Sequence, residues 1–493
     1  MAQAEVLPEV TKFIEGSPKM IIAGRTVDAT SGETFEVIDP STGKAFTEVP
    51  RAGVPDVDAA VAAAREAFED KRWSGMRPGK RSEILYKIGE LIKKNISELA
   101  QLEAIDAGKP VGLASGEMWM AGEVFRYYSG WPTKVFGETN PTTEDMFVYT
   151  LREPVGVCAG IIPWNFPLIM ATWKIAPALA FGNVSVLKPA EQTPLTALRL
   201  GELCLEAGVP DGVVNVITGF GEDAGQALAQ HHDVDKVAFT GSTEVGRKIL
   251  HASEGNLKRV TLELGGKSPN LVFADANMKR AAKGSMLGVF VNSGQVCTAG
   301  TRILVEKSVH DDFVTSLVEQ TQSMKLGPAL GEDTGMGPVV SAEQLERVTG
   351  YIDIGKSEGA EVVTGGERAT ELGDGYYVQP TVFAGVRNDM RIAQEEIFGP
   401  VAAVIEVEDV DEAIAIANDT IYGLAAAIWT NDLSKAHRVA RGIRAGTVWV
   451  NTAGPVDPAV SFGGYKQSGF GRELGVHSME AYTEVKSVWM NVK

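Results

Sequence analysis

Between Val54 and about Gly108 the apolar residues recur at helical spacing, as in VDAAVAAAREAF and ILYKIGELIKKNISELAQLEAID, with charges on the opposite face. That pattern predicts amphipathic packing helices. The rhythm then changes. VGVCAGIIP, NVSVLKP, VVNVIT and KVAFT are short, β-branched and almost wholly apolar, and helical segments such as PLTALRLGELCLEAG and TEVGRKILHAS separate them. Strands buried on both faces and alternating with helices predict a parallel sheet covered on each side. After LELGGKSPNLVF the alternation resumes with helix VHDDFVTSLVEQTQSM, strands VVTGG and VAAVIEV, helices around DEAIAIAND and KAHRVARGI, and strand GTVWVN. This block predicts a second α/β unit. Glu138 to Arg152, ending in the alternating MFVYTLR, and the carboxy-terminal YTEVKSVWMNV belong to neither block. Strands without a home sheet predict edge pairing with another subunit, an intramolecular hairpin being the alternative.

Composition narrows the class. A chain of 493 residues, 44% hydrophobic and 22% charged, buries a large core in two or three domains. With 64 acidic and 46 basic residues, its net charge of -18 opposes binding to nucleic acid and anionic membrane. Cys158, Cys204 and Cys297 form no CxxC pair, which argues against a disulfide framework or a zinc site and for a reducing compartment. The amino-terminal MAQAEVLPEVTKFIEG has neither a secretory pattern nor an Arg-rich transit pattern, so the cytoplasm is the expected location. The most membrane-like stretch, Pro167 to Gly182, is broken by Lys174 and Pro177 and is shorter than the ~20 apolar residues of a span.

Several residues carry candidate chemistry. Cys297 lies in VNSGQVCTAGTR, where small neighbours let a substrate carbon approach the thiol. In FTGSTEVGR a buried strand runs into Gly241 and Ser242 and then a helix near Thr243, whose free amides suit phosphate. Lys188 and Glu191 in VLKPAEQTP emerge at a strand end, where they can bracket a ribose, and the carboxylate disfavours a 2′-phosphate. IIPWNFP presents Trp164, Asn165 and Phe166, and the Asn165 amide can donate to an oxyanion. Glu263 in LELGGKSPN, and Glu396 with Phe398 in EEIFGP, sit at sharp turns, where a buried acid is paired, solvated or used.

Together IIPWNFP, LKPAEQTP, FTGSTEVGR, LELGGKSPN, GQVCTAG, EEIFGP and FGGYKQSGFGRELG resemble, in order, the aldehyde dehydrogenase superfamily, specifically its NAD-preferring, broad-specificity branch; the likeness runs from about Phe35 to Lys486. The resemblance implies Cys297 as nucleophile, Glu263 as general base, and Asn165 with the Cys297 N–H as oxyanion hole. Lys174 and Glu473 match positions near the proton pathway. NAD contacts fall on Ile162, Trp164, Lys188, Glu191, Gly241, Ser242, Glu396 and Phe398. The implied fold is a Rossmann-variant NAD domain (1-135 and 155-264), a catalytic α/β domain (265-466), and a small β oligomerisation ribbon with the tail (136-154 and 467-493). A homo-oligomer follows, a tetramer ahead of a dimer.

Three rivals differ in their residues. An acyl transfer to coenzyme A is disfavoured by Glu263, a non-catalytic role by Cys297 with Glu263, and a Tyr-Lys reductase by the lack of GxGxxG and the tail position of Tyr482 and Lys486. Phe166, Met170 and Trp173 predict an apolar, partly aromatic substrate pocket. The loop Thr452 to Ser461 contains no ring, and its Asp457 is either a turn residue or a partner for a cationic aldehyde.

Overall fold

The computed structural model describes residues 4–493, so the first three residues of the 1-135 segment lie outside it. Five parallel strands form the middle of one sheet, in the spatial order Val214–Val216, Val184–Lys188, Val157–Ile161, Lys236–Thr240 and Arg259–Glu263. The chain starts at Val157–Ile161, steps outward twice in one direction, then returns to Lys236–Thr240 on the other side of its starting strand. That reversal opens a crevice at the carboxyl ends of Val157–Ile161 and Lys236–Thr240, the place where such sheets receive ligands. Strands too short to leave a pattern extend the sheet antiparallel at each side: Met20–Ile22 with Arg25–Val27, and Gly469–Phe470 against Arg259–Glu263.

The second sheet runs Glu361–Thr364, Thr381–Ala384, Val401–Val407, Arg302–Glu306, Pro269–Val272, Ala425–Trp429, Thr447–Val450. All its pairings are parallel except that of Glu361–Thr364. The expected α/β class with two sheets is what the chain adopts. The long amphipathic run predicted through Asp106 divides at Asn95 into Pro78–Lys94 and Ile96–Ala107. Asn95 turns its amide back to the carbonyl of Leu91 (2.8 Å), a local bond that competes with helix continuation.

The two segments without a home sheet find each other. Met146–Pro154 and Thr483–Asn491 pair antiparallel along their whole lengths, and Thr139–Asn140 adds a short third strand. Within one chain the two strands pair with each other, and the outer edge of Thr483–Asn491 stays open, free for the edge pairing with another subunit that the sequence suggests. Phe147, Leu151, Val485, Trp489 and Met490 remain exposed on this ribbon. No described helix is long and apolar enough to cross a membrane.

Candidate active site

Helix Met278–Phe290 ends just before the cysteine, and the chain then passes through Asn292 (φ 50°), Ser293 (φ 57°) and Gly294 (φ 71°). Left-handed backbone costs a non-glycine residue about 1 kcal/mol or more, so something must hold it. Asn292 Nδ2 donates to the carbonyl of Asn165 (3.0 Å), and Ser293 Oγ to that of Gly337 (2.8 Å). Gln295 Nε2 donates to Asn292 O (3.0 Å), while its Oε1 accepts from Val340 N (2.8 Å). Gly294 has no alternative: a Cβ there would lie 2.1 Å from the carbonyl oxygen of Gly399. Asn165 Nδ2 closes the network by donating to Gln295 O (2.9 Å), which occupies one of its two amide hydrogens. The side chain expected at an oxyanion thus also fixes the loop that carries the thiol. Asn292 and Gln295 escaped the sequence reading; the crowding of amides in VNSGQ was the available signal.

Cys297 opens into a cavity of about 510 Å³ whose walls include Glu263, Phe166, Met170, Trp173, Trp449 and Phe462. The three predicted pocket residues are thus together. Trp173 and Phe462 meet edge to face at 5.3 Å. The ring-free loop does line the cavity through Ala453, Gly454 and Val456, yet Trp449 and Phe462 on either side of it supply aromatic rings that the loop itself lacks. Asp457 points away, into a neighbouring groove, and its Oδ1 accepts from Ala459 N (2.8 Å) as a turn residue does. Besides Glu263, the acid that reaches the cavity is Glu117, which pairs with Lys109; Lys109 also holds Glu103 (2.9 Å) and stands 4.5 Å over the Phe166 ring. Glu117 Oε1, Trp173 Nε1, Glu263 Oε2 and Ser268 Oγ are buried without a hydrogen-bond partner, and all four residues line this cavity. Unsatisfied polar atoms are rare in folded chains, and their concentration here marks a surface built to receive a polar group.

Burial pushes the Cys297 thiol up to about 12, and the charges of Glu396 and Glu263 add to it; backbone N–H groups of Cys297 and Thr298 pull the other way. Backbone dipoles alone are therefore outweighed in the chain by itself. Burial raises Glu263 well above the ordinary carboxylate range, Glu473 raises it further, and Lys174 and Arg472 oppose the shift. Lys174 pairs with Glu473 and donates to Thr240 Oγ1 (2.6 Å), so both residues lie beside Glu263. Glu396 is pushed to about 7, chiefly by burial, although Gly266 N donates to it (2.9 Å).

The crevice of the first sheet collects the remaining candidates. Lys188 and Glu191 pair at 3.7 Å, and Lys188 Nζ donates to Pro189 O (2.7 Å). Ile162 N donates to Lys188 O (3.1 Å), joining two strand ends. Gly241 N donates to Glu263 O (3.0 Å), and a Cβ at Gly241 would lie 2.5 Å from the Phe239 ring, so glycine is required. Ser242 caps helix Thr243–Ala252 by accepting from Val245 N (3.2 Å). Trp164 meets Phe398, itself at φ 61°, with ring centroids 5.2 Å apart. Ammonium and carboxylate for hydroxyls, a helix amino end for phosphate, and rings from both sheets' loops form a donor set that fits a dinucleotide.

The profile of the Aldehyde dehydrogenase family matches residues 26–488. The mitochondrial aldehyde dehydrogenase of Leishmania tarentolae is 50% identical over 493 residues, covering 99% of this chain and 97% of that one. The aldehyde dehydrogenase of Bacillus cereus in complex with NAD+ superposes with a TM-score of 0.98 at 49% identity, over 100% of both chains. A betaine aldehyde dehydrogenase of Staphylococcus aureus in complex with NAD+ gives 0.95 at 40%, over 97% of this chain and 98% of that one. A likeness that covers nearly the whole length of such relatives defines an oxidoreductase of aldehydes. The chain belongs to the aldehyde dehydrogenase family.

Proposed function

We propose that this protein is an NAD-dependent aldehyde dehydrogenase that oxidises an aldehyde to the carboxylic acid through a covalent intermediate on Cys297. The observation that carries the reading is that Cys297 and Glu263, far apart in sequence, line one cavity whose other walls are mainly apolar and aromatic. The Cys297 thiolate adds to the aldehyde carbon, and the oxygen of the adduct is held by the free hydrogen of Asn165 and the Cys297 N–H. Bound NAD supplies the hydride acceptor and a positive charge. Loss of hydride from the adduct leaves a thioester on Cys297. Glu263 takes a proton from water, which attacks the thioester carbon; the thiolate leaves and the acid departs. A carboxyl group raised by burial suits that task near neutral pH. Lys174 and Glu473 carry the proton onward from Glu263.

Ile162, Trp164, Lys188, Glu191, Gly241, Ser242, Glu396 and Phe398 would hold the cofactor, and Glu191 favours NAD over NADP. Phe166, Met170 and Trp173 receive the body of the substrate, which suits aliphatic and aromatic aldehydes. The cofactor unit is then 1-135 with 155-264, the catalytic unit 265-466, and the ribbon and tail 136-154 with 467-493, Gly469–Phe470 lending a strand to the first unit's sheet. The exposed apolar residues of the ribbon support a homo-oligomer, a tetramer ahead of a dimer. Sedimentation that returns a clean monomer would refute this. Three free thiols support a reducing compartment, the cytoplasm, although the Leishmania relative is named mitochondrial.

Rapid mixing of Glu263→Gln with aldehyde and NAD tests the mechanism. One equivalent of NADH in a burst, followed by turnover slowed about 10²–10⁴-fold, is expected. Normal steady-state turnover would assign the base elsewhere.

A further inference from the structure

One face of the first sheet carries a strip of polar groups, only part of which the reaction above uses. Strand alternation puts Lys236, Ala238 and Thr240 on that face of one strand, and the register pairs Ala238 with Thr261 and Thr240 with Glu263 on the next. Gly160 of the adjoining strand faces the same way: a Cβ on it would lie 3.1 Å from Cβ of Lys174, so glycine there lets helix Pro167–Ala180 lay its lysine over the strip. Lys174 Nζ bonds Thr240 Oγ1 (2.6 Å), and Lys236 Nζ bonds Thr261 Oγ1 (2.9 Å). Two buried ammonium groups thus hang from threonines on neighbouring strands, beside two buried carboxylates, Glu263 and Glu473.

Lys236 has no solvent exposure. The groups facing it are Cys158 and Arg259 from the flanking strands, Lys174 from the helix, and Glu473 and Tyr482 from the carboxy-terminal segment, the Tyr482 ring lying 4.7 Å away. Those facing Glu263 are Glu473, Lys174, Arg472 and Cys297. Of these cations, Arg472 spends its guanidinium on the carbonyls of Gly464 (3.2 Å) and Gly471 (2.6 Å) and stacks on Tyr465. Lys174 is already committed to Glu473. When Glu263 gives up its proton, the strip holds two buried anions against one buried lysine, Lys174, and the half-buried Arg472, and a buried carboxylate short of positive charge is expensive.

We propose that Lys236 is a positioning residue for the hydrolytic step, supplying the second buried positive charge that lets Glu263 and Glu473 be ionised together. The role rests on the assignment of Glu263 as base. Burial lowers the Lys236 ammonium to about 8, with Cys158 and then Glu473 opposing the shift, so it stays charged through neutral pH and loses its charge just above it. The effect reaches Glu263 through Glu473: without the Lys236 charge, Glu473 repels the Glu263 carboxylate more strongly, and Glu263 needs a higher pH to ionise.

The test uses the full-length holoenzyme with saturating NAD and a simple aldehyde. Lys236→Met and Lys236→Gln are expected to give a full NADH burst with unchanged aldehyde KM. The acid limb of kcat moves up by about one pH unit, lowering turnover on that limb about tenfold. Lys236→Arg returns the limb toward its original position. A full burst with an unmoved acid limb in both neutral variants overturns the proposal, because the site is then assembled and its base indifferent to Lys236. Loss of the burst in both also overturns it, in favour of a purely structural lysine. Glu263→Gln separates the two levels: steady turnover by that variant defeats the base itself, whereas a stall there with normal Lys236 variants defeats only the role of Lys236.

Discussion

Both sheets bury cations, and Arg302 of the second is held differently from the lysines of the first. In the second sheet Arg302 donates to Asn388 Oδ1 (2.9 Å) and to the carbonyls of Ile416 (2.9 Å), Ala417 (2.8 Å) and Asp419 (3.2 Å). Three of these oxygens are backbone atoms at the carboxyl end of helix Val410–Asn418, where the dipole favours a positive charge. In the first sheet Lys174, Lys188 and Lys236 face groups that can themselves gain or lose a proton, or hydroxyls and a carbonyl that hold them near such groups. Carbonyl partners cannot change charge, so Arg302 is a clamp. Titratable partners can, which supports the part in the chemistry proposed for the lysines.

Cys297 and Arg302 lie five residues apart and should give opposite results, which makes them the sharpest way to break the contrast. Cys297→Ala should lower NAD reduction by about 10³-fold or more while leaving the melting temperature within a degree or two. Residual turnover near the original rate would end the thiol assignment. Arg302→Met should do the reverse, costing about 3–5 kcal/mol in denaturant unfolding, since it strands several buried acceptors, with kcat of the folded fraction unchanged. A shifted pH profile in Arg302→Met would erase the distinction between the sheets. Lys188→Met, the smallest effect, should raise KM for NAD about tenfold with little change in kcat, because its loss weakens binding rather than the reacting centre. An equal fall in kcat would place Lys188 closer to the chemistry than its strand end implies.

Much of this was legible along the chain because buried parallel strands write themselves as short β-branched runs. VGVCAGIIP, NVSVLKP and KVAFT each became a strand of the first sheet, and Glu263, Cys297 and Asn165 were marked by turn chemistry around them. Gly469–Phe470 was not legible, since two residues carry no period. Trp449 and Phe462 reach the cavity only through the folding of the loop between them. Glu117 carries no signal of its own in the sequence, and only its pairing with Lys109, which stands over the Phe166 ring, shows why it is buried. Asn292 is the plainest case: its left-handed backbone is stabilised by Asn165, more than a hundred residues away, and no local preference could announce it.

The ladder between Met146–Pro154 and Thr483–Asn491 also has a consequence in time. Its second strand leaves the ribosome about 330 residues after the first, roughly 20–60 s later at ordinary rates of synthesis. Throughout that interval the earlier strand has an open edge, and once made, Arg259–Glu263 waits about 200 residues for its Gly469–Phe470 neighbour. Glu473 arrives with the same late segment, so Lys174 and Lys236 are the last buried charges to be neutralised. A nascent chain interrupted before residue 473 would carry Cys297, Glu263 and the crevice of the first sheet, yet with Met146–Pro154 unpaired it would be an aggregation-prone intermediate.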